Sequence, residues 1–354
     1  RSSTGAASFM DVCSDITNEV AQNGRRGALM LSMSINHPDI EEFITKKQDL
    51  TKVTGANISV KVTDEFMQAV ENDKDYILRF PVDESVPQGL MIEEMPYNEL
   101  WFFSDDDHPN SFFKKVRARE LWDTLMHCAW NTAEPGIMFE GAMHNYSPDG
   151  VYPDFKMVGT NPCGEIPMGP FDSCRLIHIN LASYIVDPFT DKAHIDEELL
   201  YMHSYEAMRL ADDLVDLEIE AVDRIINTVK NDTDDTEFKL WSKIKETAIQ
   251  GRRAGLGFTG LADAIAMLGL KYDSDEGISQ VKQLMKVMFK GQLDSNIDMA
   301  IERGAFPAWD SVVEAESNSD WLKFIRSNYL KTWLKMAQSG RRNISWSTVK
   351  IAAA

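Results

Sequence analysis

The chain has 354 residues, 44 % hydrophobic and 26 % charged, with a formal net charge of −20, proportions that suit a folded protein of roughly two to three domain-sized units. A surface this acidic repels phosphate backbones, which excludes a general DNA or RNA binder. No apolar run approaches the roughly 20 residues that cross a bilayer, no targeting segment follows Arg1, and four cysteines are too few for a disulfide scaffold; the expected setting is the reducing cytoplasm.

Taken in chain order, residues 8–20 read as a helix, with Phe9, Val12, Cys13, Ile16 and Val20 at helical spacing. Gln22-Asn23-Gly24 ends it. An apolar run over 28–35 reads as a buried strand. His37-Pro38-Asp39 opens a helix to about residue 47, with proline and acid in its first turn. Residues 57–62 form a strand, and a helix starts at Thr63, with Asp64 and Glu65 in its first turn. The stretch 76–113 reads as irregular, a helix follows over 117–131, and Ile137-Met138-Phe139 is a strand. Residues 141–159 read as loop.

Beyond that loop, residues 195–229 read as a long helix with a stripe of Met202, Tyr205, Met208, Ala211, Val215 and Ile219. Further helices are expected over about 237–250, 260–268, 277–302 and 320–337. The order is α/β at first and mostly helical later. An anionic substrate would need local cations, and Arg25-Arg26, Arg252-Arg253 and Arg341-Arg342 are available pairs.

The loop over 141–159 delivers the chain to Asn161-Pro162-Cys163-Gly164-Glu165, a thiol, a carboxylate and an amide within five residues. Proline bars an ordinary helix and glycine permits unusual dihedrals, so this turn can push a thiol and an acid toward one small target. Eleven positions after Cys163 stands a second thiol, Cys174. Such an arrangement suits redox or radical chemistry on a polar substrate. Zinc is not expected, because Cys163, Cys174 and His178 lack ligand-pair spacing. A hydrolytic Cys–His reading stays open for any thiol with a distant histidine, and nothing here singles it out. Cys13 and Cys128 read as small core residues on apolar helix faces.

In Asn161-Pro162-Cys163-Gly164-Glu165, followed by Cys174 and Asn180-Leu181, the chain resembles the active-site segment of ribonucleotide reductase catalytic subunits. The likeness extends to Thr4-Gly5-Ala6-Ala7-Ser8-Phe9-Met10, Arg25-Arg26-Gly27-Ala28, His37-Pro38-Asp39-Ile40, Asn57-Ile58-Ser59-Val60, Pro135-Gly136-Ile137-Met138-Phe139, Gly255-Leu256-Gly257, Gly304-Ala305-Phe306-Pro307 and Arg342-Asn343, in the family's order.

The resemblance implies reduction of ribonucleotides, as diphosphates or triphosphates, to deoxyribonucleotides. It implies a ten-stranded α/β barrel of two halves, with the cysteine turn as a central finger. Residues 1–159 would be the first half-barrel, with an effector and dimer helix and a specificity loop. Residues 160–354 would hold the finger and the start of the second half. Cys163 would become a thiyl radical and take the ribose 3′-hydrogen. Glu165 would accept the 3′-hydroxyl proton, Asn161 would hydrogen-bond the substrate, and Cys174 would be one of two thiols that end as a disulfide. Ala7, Ser8, Pro162 and Gly164 would join them in lining the substrate. Gln22, Asn23, Gly24, Arg25, Arg26 and Gly27 would form the loop that relays a bound ATP or deoxynucleotide effector. On residues alone, that loop reads as a helix end with a solvated arginine pair.

The radical itself needs a cofactor. The wording of 37–40 and 160–165 leans toward the adenosylcobalamin branch, rather than the branch that draws on a metal and tyrosyl radical in a second subunit. Expected partners are a second copy of the chain and thioredoxin or glutaredoxin. The family's upstream thiol and its later phosphate-binding turn have no match here, so the chain reads as a central piece that needs the remaining segments in trans or after splicing.

Two rivals belong to other classes. Gly255-Leu256-Gly257-Phe258-Thr259-Gly260 has dinucleotide-fingerprint spacing, which would make an NAD(P)-binding oxidoreductase. That fingerprint needs a strand before it, whereas residues 246–253 read as helix and polar turn, so close packing between two helices is expected. The other rival is a non-catalytic remnant that only pairs with other subunits.

Overall fold

A computed structural model describes residues 4–20, 27–231 and 234–346. They fall into two compact units: Arg1–Met143 with Gly159–Cys163, and His144–Val158 with the chain from Gly164 onward.

The first unit is built on a parallel sheet. Strand β1 (Met30–Ser34) pairs with β2 (Asn57–Val62), and β2 pairs with β6 (Gly136–Phe139), in register Met33↔Val60↔Ile137. Parallel neighbours require crossovers, and helices supply them. Helix α1 (Phe9–Glu19) precedes the sheet, α2 (Ile40–Thr45) joins β1 to β2, and α3 (Asp64–Glu71) and α4 (Ala118–Thr132) lie between β2 and β6. Thr63 caps α3 by accepting from the Phe66 N–H at 3.2 Å. Ile58, Val60 and Val62 pack with Phe43, Phe66 and Leu125 in one buried cluster. Gly136 lets β6 approach, since a Cβ there would lie 2.8 Å from Ser59 Oγ.

Three features differ from the sequence reading. The stretch over 76–113 holds an antiparallel sheet, β3 (Asp75–Phe80), β5 (Ser111–Arg117) and β4 (Leu100–Phe103), in the order β3-β5-β4. Its apolar side closes over Ile77, Leu90, Met95 and Phe113. The helix from His37 is shorter than expected, with α2 giving way to a 3-10 turn at Lys46–Gln48. The stripe of α1 does not face a core within this unit: Phe9, Val12, Ile16 and Val20 are exposed, while Met10 and Ser14 are buried.

Helix α5 (Glu140–Tyr146), within a stretch read as loop, carries the chain toward the second unit, and the short strand β7 (Gly159–Thr160) belongs to the first. The second unit adds β8 (Pro167–Met168), β9 (Leu176–Asn180), β10 (Ile185–Val186) and β11 (His194–Ile195), then α6 (Glu197–Val229) and α7 (Thr236–Gly251). Strand β12 (Gly255–Thr259) pairs parallel with β9, Leu176↔Gly255 through Asn180↔Thr259.

After it come α8 (Leu261–Met267), α9 (Asp275–Arg303), α10 (Ser311–Glu316), α11 (Asp320–Asn328) and α12 (Leu330–Ser339). The two long helices, α6 and α9, pack together. Met208, Ala211 and Val215 of the expected stripe are buried, but Met202 is exposed and Ser204 takes the core position. The single helix expected over 320–337 breaks at Tyr329, whose ring packs on Phe289 at 5.6 Å. Within each unit, among the described residues, the strands form separate sheets and none closes into a barrel.

Candidate active site

The cysteine turn follows β7, which runs close to β1: a Cβ on Gly159 would lie 3.5 Å from Ser32 Oγ. Thr160 Oγ1 donates to the Asn161 carbonyl at 3.0 Å. Gly164 has φ +81°, a conformation that favours glycine, so the tip turns there as the sequence suggests. Cys163 is exposed. The chain passes from the first unit to the second between Cys163 and Gly164, so Asn161 and Cys163 belong with the first and Glu165 and Cys174 with the second.

In the first unit, Ala7 is buried and Ser8 half-buried in a 3-10 turn, Ala6–Ser8. Ser8 Oγ donates to the Gly5 carbonyl at 2.8 Å, and Asp39 Oδ2 accepts from the Ala6 N–H at 2.8 Å. Asp39 of the His37-Pro38-Asp39-Ile40 stretch therefore fixes this turn. Of the expected specificity loop, Gln22, Asn23, Gly24, Arg25 and Arg26 lie outside the described residues; Gly27 is described and exposed.

In the second unit, Glu165 Oε2 is buried and accepts no hydrogen bond among the described residues. Such an atom is costly to leave unmatched, and a polar ligand with a free hydroxyl would satisfy it. Cys174 is half-buried and, like the other three cysteines, carries a free thiol. Burial pushes the Cys174 thiol up to about 12; Arg253 and Arg175 pull it down, while Asp172 and Glu165 add to the rise. The group is a neutral thiol at physiological pH. Cys128 lies in the core of the first unit, where burial raises its thiol too.

The sequence reading offered Arg252-Arg253 and Arg341-Arg342 to an anionic substrate. The structure corrects this, because all four are committed to carboxylates. Arg253 binds Asp172 and Asp149. Arg252 and Arg342 bind Asp212, with Arg303 as a third cation on the same carboxylate. Arg341 binds Glu314. Asp213 and Asp216, beside Asp212, are likewise held by Arg303 and Arg252, each at 2.7 Å, so that acidic trio has no charge in excess. The carboxylate partners went unnoticed in sequence because they lie 27 to 130 positions away.

The glycine motif also falls differently. Gly255 and Gly257 lie inside β12, not in a turn after a strand, and only Gly260 stands between β12 and α8. The expected packing between two helices is instead strand pairing with β9. Gly260 has φ +70°, and a Cβ there would lie 2.3 Å from Asn180 Oδ1. A phosphate-cradling loop has no room in this layout. A cavity of about 760 Å³ elsewhere in the second unit is lined by Phe289, Trp321, Phe324, Tyr329 and Trp346 among others. Among the described residues, no thiol or carboxylate lines it.

Comparison with known proteins identifies the family. The family described as ribonucleotide reductase, barrel domain, matches residues 1–352. A vitamin B12-dependent ribonucleoside-diphosphate reductase of Thermoplasma acidophilum is 34 % identical over 313 residues, covering 86 % of this chain and 34 % of the relative. One of Mycobacterium tuberculosis (strain CDC 1551 / Oshkosh) is 30 % identical over 308 residues, covering 86 % of this chain and 37 % of the relative. A ribonucleoside-diphosphate reductase subunit alpha of Synechocystis is 24 % identical, covering 91 % of this chain and 38 % of the relative. The chain belongs to the ribonucleotide reductase family, within its barrel domain. It spans about a third of the length of these relatives.

Proposed function

We propose that this chain supplies the reducing centre of a ribonucleotide reductase. The observation that carries the reading is the buried, unmatched Glu165 Oε2, in the same unit as a protonated Cys174 and two positions after an exposed Cys163. A base must reach the proton it removes, and Glu165 Oε2 offers an acceptor with no partner among the described residues. Asn161 hydrogen-bonds the ribonucleotide, and Ala7, Ser8, Pro162 and Gly164 line it. The Cys163 sulfur, as a thiyl radical, takes the 3′-hydrogen while Glu165 takes the 3′-hydroxyl proton. The 2′ C–O bond breaks and its oxygen leaves as water. Cys174 and a second thiol give up two hydrogens and close one S–S bond, and Cys163 returns the hydrogen to C3′ and is again a thiyl radical. An external dithiol, thioredoxin or glutaredoxin, reopens it.

The relatives named for vitamin B12 point to adenosylcobalamin. One observation fits that group: the thiol to be oxidised, Cys163, is exposed and free. Adenosylcobalamin, when bound, supplies the radical that withdraws a hydrogen atom from this thiol. A radical-bearing second subunit is the alternative source. The domain reading is proposed in the same terms, with 1–159 as the first half-barrel and 160–354 as the finger and the start of the second, the ten strands being completed by further chain. The loop over 22–27 would relay an ATP or deoxynucleotide effector between two copies.

The test is deoxyribonucleotide formation from ribonucleoside diphosphates and triphosphates, with adenosylcobalamin and a dithiol. The chain is assayed alone and with the remaining segments of a B12-dependent relative supplied in trans. Activity is expected only in the complemented mixture, and Glu165→Gln lowers it by about 100-fold or more. Undiminished turnover by Glu165→Gln overturns the assignment of the base.

A further inference from the structure

Cys174 stands in a stretch without regular structure between β8 and β9, and side chains tie down its neighbours on both sides. Asp172 Oδ1 accepts from the Ser173 N–H at 2.8 Å, and Asp172 Oδ2 from Arg253 Nε at 2.6 Å. Ser173 Oγ donates to Glu218 Oε1 at 2.8 Å. Arg175 donates from Nε to Glu218 Oε2, and from Nη1 to the Ser173 carbonyl at 3.1 Å and the Arg253 carbonyl at 2.9 Å. The Arg175 carbonyl accepts from the Gly255 N–H at 2.8 Å, where β9 begins its pairing with β12. Within 172–175, Cys174 alone makes no hydrogen bond among the described residues.

One side chain closes this frame. Glu218 lies on α6, 43 positions beyond Arg175 and 45 beyond Ser173. Its two oxygens take the residue before Cys174 and the residue after it. The Arg175 side chain is 5 % exposed and that of Glu218 29 %, so water competes for the carboxylate only in part. Hydrogen bonds to an ionised carboxylate are among the stronger ones. The bond from Arg175 Nη1 back to the Ser173 carbonyl ties the same two residues to each other. The flanks of the thiol are therefore fixed relative to α6, while the peptide groups of Cys174 are left uncommitted.

We propose that Glu218 is a positioning residue for Cys174, a two-point latch that holds the residues on either side of it and leaves Cys174 itself unbonded. The proposal rests on the reading of Cys174 as a redox thiol. A disulfide forms only when its two Cβ atoms come within about 3.5–4.5 Å, so the thiol needs a fixed station when the second thiol meets it. The same sulfur must afterwards be reached by an external dithiol, and a residue bound through its own peptide groups would resist that adjustment. Fixed flanks with a free centre meet both demands. Glu218 acts through Ser173 and Arg175.

Glu218→Ala would strand the buried Arg175 charge, so the milder Ser173→Ala removes one arm of the latch and Ser173→Thr restores it. Hydrogen exchange of the full chain, read by mass spectrometry, follows the amides of 172–176 with those of α9 as reference. Labelling by N-ethylmaleimide follows Cys174, with Cys163 as reference. Losing one hydrogen bond of this kind eases local opening by about threefold or more. Ser173→Ala is therefore expected to speed both readouts at least about threefold, with α9 and Cys163 unchanged and Ser173→Thr near wild type. Glu218→Gln offers one acceptor oxygen to two donors and gives the same pattern. In the complemented reductase, Ser173→Ala lowers kcat at least about threefold and leaves KM unchanged. Unchanged exchange over 172–176 in Ser173→Ala, equal acceleration in α9, or Ser173→Thr as fast as Ser173→Ala overturns the latch. So does an unchanged kcat in an active mixture. Exchange and labelling need no turnover. If they shift as stated while the complemented chain makes no deoxyribonucleotide, the reductase reading fails and the latch stands.

Discussion

Arg253 donates from Nε to Asp172 Oδ2 at 2.6 Å, and both side chains are 1 % exposed. A pair this dry is held in place by mutual need, since removing either partner leaves an uncompensated charge in the interior. Asp172 lies two residues before Cys174, so the pair also anchors the segment that presents the second thiol. Asp172→Ala is expected to cost about 3–5 kcal/mol of stability. Urea unfolding followed by circular dichroism checks it, and a loss below about 1 kcal/mol would mean the pair is relieved by water.

Asp212 sets an acid limit on the second unit. Burial by itself would raise its carboxyl, but the hydrogen bonds and charges of Arg252 and Arg342 outweigh burial and hold it below the ordinary carboxylate range. A folded-state value below the unfolded one, about 3.9, gives stability that is present above that value and lost as pH falls through the folded one. Melting temperature should therefore drop as pH falls below about 4, and Asp212→Asn should flatten that drop while lowering stability at neutral pH by about 3 kcal/mol. Thermal melts between pH 3 and 7 decide the matter.

The exposed stripe of α1 makes a prediction about assembly. Phe9, Val12 and Ile16 are all more than half exposed on one helix, an apolar patch of the kind that marks an interface. If the chain pairs with a second copy through this face, Val12→Asp with Ile16→Asp shifts its mass by light scattering from dimer to monomer. Stability should change by no more than about 0.5 kcal/mol. A dimer that survives both changes places the interface elsewhere.

Gly260 distinguishes strand packing from cofactor binding. With φ +70° and Asn180 Oδ1 in the way of a Cβ, Gly260→Ala should destabilise by about 1–3 kcal/mol. NAD and NADP should leave the wild-type melting temperature unmoved. A nucleotide-dependent rise in melting temperature that Gly260→Ala removes would revive the dinucleotide reading.

Much of the scaffold is legible in local pattern. The apolar runs that become β1 and β2, Thr63 as a cap, and the helices α4, α6, α7 and α9 all announce themselves through spacing and end signals. What escapes notice depends on distant partners. The β3-β5-β4 sheet hides in 76–113 because its strands are short and separated by proline-rich loops, and only pairing makes them strands. The apolar face of α1 has helical period, but period cannot say whether core or solvent lies opposite. Arg252 and Arg253 read as free cations because Asp212, Asp149 and Asp172 are remote in sequence. The turn at 161–165 is legible because Pro162 and Gly164 fix its bend locally. The unmatched state of Glu165 Oε2 is not, because it depends on everything packed around it.

The account stands most directly on hydrogen abstraction at Cys163. Turnover of a 3′-deuterated ribonucleotide by the complemented chain should be slower than that of the unlabelled substrate, and Cys163→Ser should abolish turnover of both. Equal rates for the two substrates, or deoxyribonucleotide formation by Cys163→Ser at the wild-type rate, would contradict it.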